Sequence, residues 1–76
     1  MMEISAQGIE MKIFLAKLRD MIASKRGTDV LIDVKSDTSK DAKKIQTFVQ
    51  MTGCRAEIER IDKDFVIHVT GTPCCI

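Results

Sequence analysis

The chain's 76 residues provide for one hydrophobic core and leave no room for a second domain. Twelve Lys plus Arg stand against 11 Asp plus Glu, without the basic excess of a dedicated nucleic-acid binder, and three Phe without Trp or Tyr offer bases no stacking platform. No stretch approaches the roughly 18 apolar residues of a membrane span, and Met1-Met2-Glu3-Ile4 does not open as a secretory signal, so a cytoplasmic setting without membrane association is expected.

The first segment, Glu3 to Gln7, carries a weak strand signal with Ile4 and Ala6 as inward positions, and it ends at Gly8. From Met11 the period changes: Met11, Phe14, Leu15, Leu18, Met21 and Ile22 form one stripe of a helix. Ser24-Lys25-Arg26-Gly27 stops that helix, with cations at its negative end and Gly27 as a left-handed cap. Val30 to Val34 is a nearly unbroken β-branched run, which predicts a central strand covered on both faces or nearly so.

Thr38 followed by Asp41 resembles a capping box and opens a second helix, which buries Ala42, Ile45, Phe48 and Val49 and ends at Gly53. Beyond it the period becomes two. Cys54, Ala56 and Ile58 face the core and Arg55, Glu57 and Glu59 face away, while Ile61 falls outside the alternation. Asp62-Lys63-Asp64 is read as a three-residue turn into a strand from Phe65 to Thr70, with Phe65, Ile67 and Val69 inward and His68 outward. Gly71-Thr72-Pro73 then breaks the structure.

The order is β-α-β-α-β-β, and it predicts an α/β two-layer sandwich: a four-stranded mixed sheet with two helices packed on one face. Residues 1–71 form the domain and 72–76 an extended tail that ends in Cys74-Cys75-Ile76. The other sheet face is expected to be polar, populated by Arg55, Glu57, Glu59 and His68.

Three cysteines, two of them adjacent, are not a disulfide framework and suit a reducing compartment. Cys54 reads as a small buried hydrophobe. Cys74 and Cys75 are the candidate thiol carriers, placed on a reachable tail. Soft-metal binding by thiolates is an alternative, but there is no Cys-x-x-Cys spacing, and two adjacent thiols cannot complete a four-ligand site. No resident cofactor or metal is expected. Met11, Met21 and Met51, with Phe14 and Phe48, are read as core fillers. Neither a phosphate loop, a paired-carboxylate signature nor a nucleophile–histidine spacing is present, so autonomous catalysis is not expected.

The order of elements, Gly8 after the first strand, and the Ser36 to Asp41 stretch before the second helix resemble the TusA/SirA-like family of small sulfur carriers. That resemblance implies a persulfide-carrying cysteine in a Cys-Pro-x-Pro motif at the start of the first helix, where this chain reads Met11-Lys12-Ile13-Phe14. A thioether forms no persulfide, so the implied sulfur-relay role falls to the tail thiols or to a non-catalytic partner function. The partner implied is a cysteine desulfurase or another sulfur-relay protein. The topology also resembles the C-terminal domain of bacterial translation initiation factor three, which keeps a protein- or RNA-binding module as the alternative.

Overall fold

The structure is a computed structural model that describes residues 2–74 of the chain. Six elements follow in the expected order: β1 (Met2–Ser5), α1 (Met11–Ala23), β2 (Val30–Ser36), α2 (Ser39–Met51), β3 (Arg55–Ile61) and β4 (Asp64–Gly71). They form one mixed sheet in the order β1-β2-β4-β3. β1 and β2 are parallel, and β4 runs antiparallel to both of its neighbours, β2 and β3. The last strand is therefore inserted between β2 and β3, and it alone opposes the direction of the others.

This insertion fixes the two ends of the molecule. The β1–α1 connection and the β3–β4 turn share one end, where Gln7 Nε2 donates to Asp64 Oδ1 at 2.9 Å. The exits of both helices and the end of β4 share the other.

Both helices bury one stripe against the same sheet face. Phe14, Leu18 and Ile22 of α1 join Ala42, Ile45 and Val49 of α2, above Ile32, Val34, Ile67 and Val69. Fully burying one such aliphatic side chain contributes about 1.5–3 kcal/mol, so a few of them dominate the stability of a domain this small. Thr38 has extended backbone, and its Oγ1 accepts the Asp41 N–H at 3.2 Å, so the expected cap forms. Glu10 stands at the corresponding position of α1 without a side-chain cap.

Four expectations need correction. Leu31 is half exposed: β2 is central in hydrogen bonding, but its burial alternates because only one sheet face is covered. The β3–β4 turn has two residues, since Ile61 pairs with Asp64 and Asp62 takes a φ of 56°, which a short polar side chain tolerates. Met51 is 72% exposed and fills no core, because it falls on the last turn of α2, off the buried stripe. The segment after β4 does not hang free. Pro73 is fully buried, Thr72 Oγ1 donates to Asp29 Oδ1 at 2.9 Å, and the Cys74 N–H donates to the Thr52 carbonyl at 3.0 Å. Cys75 lies outside the described residues.

Candidate functional site

The open sheet face gathers side chains from every strand. On β4, His68 stands opposite Asp33 of β2 and Glu57 of β3. Its Nδ1 lies 2.9 Å from Asp33 Oδ1 and its Nε2 lies 3.1 Å from Glu59 Oε1, one diagonal step along β3. When the ring is protonated both of its nitrogens donate, so this placement between two carboxylates favours the charged form of His68. The hydrogen bond to Asp33, then that to Glu59, raises the His68 pKa above the ordinary 6.5, and desolvation opposes them only in part.

Beside this triad lies a depression of about 260 Å³. Glu3, Asp33, Asp62 and Asp64 supply its acidic wall, and Lys35 and His68 its cations. Ile61 and Val66 add apolar surface. Lys35 Nζ lies 3.3 Å from Asp64 Oδ2, so the lysine, like His68, already faces a carboxylate of the same wall. Both His68 nitrogens face carboxylate oxygens of the same surface. Among the described residues no group of three or more potential ligands is placed to hold a metal ion. The depression is a polar surface in which His68 pairs with Asp33 and Glu59 and Lys35 pairs with Asp64.

The thiols fall elsewhere. Cys54 is buried beside Ala56 on the covered face, as expected of a small hydrophobe. Cys74 is exposed and packs against Gly53, just past the end of α2. β4 opposes the other strands, so Cys74 emerges at the end of the domain away from Met11. It sits by the carboxyl end of α2 and not at a helix start. Placing the thiol carrier at an α1-type helix start and placing it at Cys74 are thus opposite arrangements.

The helix layer differs from the sheet in charge. Lys12, Lys17 and Arg19 lie on α1 with Lys25 and Arg26 at its exit, and Lys40, Lys43 and Lys44 lie on α2; Asp20 and Asp41 are the only acids within the two helices. The open sheet face carries Glu3, Asp33, Glu57, Glu59 and Asp64 against Lys35, Arg55 and His68. A near-zero net charge therefore conceals a basic helix layer and an acidic sheet face. Composition could not reveal this, since it depends on which strands present which register.

Between the helices runs an apolar groove of about 400 Å³, lined by Leu15, Phe48 and Met51 with Thr47, Lys43 and Lys44. Sequence reading assigned Phe48 and Met51 to the core. Phe48 does pack, partly buried, against the core, whereas Met51, three residues on, is exposed and only lines the groove.

No family model, no curated protein and no solved structure matches the chain.

Proposed function

We propose that this chain is a non-catalytic protein-binding module, built like the small sulfur carriers it resembles but working through its surfaces rather than through a persulfide. One observation carries the reading: Met11 stands where the resemblance calls for a thiol, while the exposed Cys74 is docked at the opposite end, beside the carboxyl end of α2. The pairing of His68 with Asp33 and Glu59, and of Lys35 with Asp64, supports the same reading, because these charges are engaged with one another.

A second reading is that Cys74 and Cys75 carry sulfur. It is favoured by the exposure of Cys74 directly after Pro73, which is fully buried and so anchors the start of that segment. Such transfer would move the outer sulfur of a donor persulfide onto Cys74 Sγ and release the donor as its thiolate, with no external oxidant.

The two readings separate in the rate at which glutathione persulfide modifies Cys74 in the folded chain and in a free Thr-Pro-Cys-Cys-Ile peptide. A binding module gives similar rates. An acceleration of more than about tenfold in the folded chain contradicts it, because the fold would then be activating the thiol.

A further inference from the structure

The groove between α1 and α2 combines two properties that isolated surface residues do not. Its floor is apolar, with Leu15 from one helix and Phe48 and Met51 from the other, and Met51 is 72% exposed. Its borders are cationic. Lys43 and Lys44 line it on α2, while Lys12 and Arg19 stand three before and four after Leu15, the spacing that puts them beside it on α1. All four cations are exposed, and among the described residues the one ion pair they make, Arg19 with Asp20 at 3.7 Å, is a solvent-exposed contact of little strength.

A single exposed hydrophobe needs no explanation, but an apolar cleft walled by lysines selects for a particular occupant. A neutral apolar ligand would leave the lysines desolvated and unpaired. A nucleic-acid strand would satisfy the lysines and leave Phe48, Leu15 and Met51 against a charged backbone. A helix with apolar residues at i, i+3 or i+4 and i+7, and carboxylates on its flanks, satisfies both. The stretch from Lys44 to Met51 spans about 10 Å of α2, or two turns of such a helix. Met in the floor suits repacking around different apolar anchors.

We propose that the α1–α2 groove docks an acidic, amphipathic helical segment of a protein partner. This rests on the reading of the chain as a binding module and names the partner chemistry. It does not depend on the thiols, although the groove's Met51 end lies two residues before Gly53, against which Cys74 packs.

The test is selection of a displayed random library of peptides about 16 residues long on the immobilised full chain, followed by fluorescence anisotropy with the peptide most enriched. The expected winners are rich in Glu and Asp with apolar residues at helical spacing. Met51→Glu weakens their binding at least about tenfold, and Lys43→Glu/Lys44→Glu weakens it and flattens its salt dependence. The substituted side chains are exposed, so thermal unfolding followed by circular dichroism stays within a few degrees of wild type in both variants.

Several outcomes overturn the proposal: no enrichment, winners without an acidic bias, or binding that survives Met51→Glu. It fails equally if gel filtration shows a concentration-dependent dimer lost in Met51→Glu, since a second copy is then the occupant. It also fails if an RNA oligonucleotide binds, is lost in Lys43→Glu/Lys44→Glu and is retained in Met51→Glu. Sulfur loading of Cys74 bears on the binding-module reading and not on these results, so failure of one is distinguishable from failure of the other.

Discussion

His68 and Asp33, 35 residues apart in the chain, are direct cross-strand partners between β4 and β2, and their side chains meet at 2.9 Å on the open face of the sheet. Glu59 closes the other side of the ring at 3.1 Å, so one imidazole ties three of the four strands together. Glu57, directly opposite His68 on β3, adds a further acid to its surroundings.

The pH dependence of stability follows from this arrangement. The folded-state pKa of His68 lies above its unfolded value near 6.5, so the contribution is fully present below pH 6.5 and is lost as pH rises through the folded pKa. The side chain is about a third exposed, so solvent screening holds the effect to about 1 kcal/mol or less. Urea midpoints measured at pH 6 and pH 9 should fall more for wild type than for His68→Gln. Parallel declines in the two proteins would show that the triad contributes nothing.

Gly53 and Gly8 offer a matched pair. Both take left-handed φ, 91° and 75°, where a side chain is strained by about 1–2 kcal/mol. A Cβ at Gly8 meets open space, whereas one at Gly53 lies 2.5 Å from Cys74 Sγ. Gly53→Ala should therefore destabilise more than Gly8→Ala by denaturant titration. Truncating the obstacle, as Gly53→Ala/Cys74→Gly, should recover part of the difference. Equal losses for the two alanines would mean that Cys74 is not docked against Gly53.

Leu18 is fully buried in the stripe of α1, among the residues shared by both layers. Leu18→Ala should lose about 2–5 kcal/mol, enough to leave a domain of this size partly unfolded at 37 °C. Met51→Ala, at the edge of the same helix layer but exposed, should change stability by less than about 0.5 kcal/mol. Comparable losses would place Met51 in the core after all.

Much of this fold was legible because burial imposes a period. The stripe from Met11 to Ile22 and the alternation from Cys54 to Ile58 each expose their inner face without any knowledge of partners. Strand order was not legible, because a β-α-β-α-β-β sequence does not say where β4 inserts. That insertion decides the rest: it brings His68 against Asp33, separates Cys74 from Met11, and docks Pro73 beside the α2 exit. Asp33 escaped attention because its β-branched neighbours suggested a doubly covered strand. The groove was not legible because Met51 matches a core residue in chemistry and differs only in its angle around the helix, beside a Phe48 that is partly buried in the core.

The most direct test of a surface-acting, non-carrier protein is intact-mass spectrometry of the reduced chain after incubation with a cysteine desulfurase and cysteine. A protein that acts through its surfaces keeps an unchanged mass in wild type and in the Cys74→Ser/Cys75→Ser variant alike. A gain of about one sulfur mass in wild type, absent from that variant, would contradict it and make the C-terminal thiols the working part of the protein.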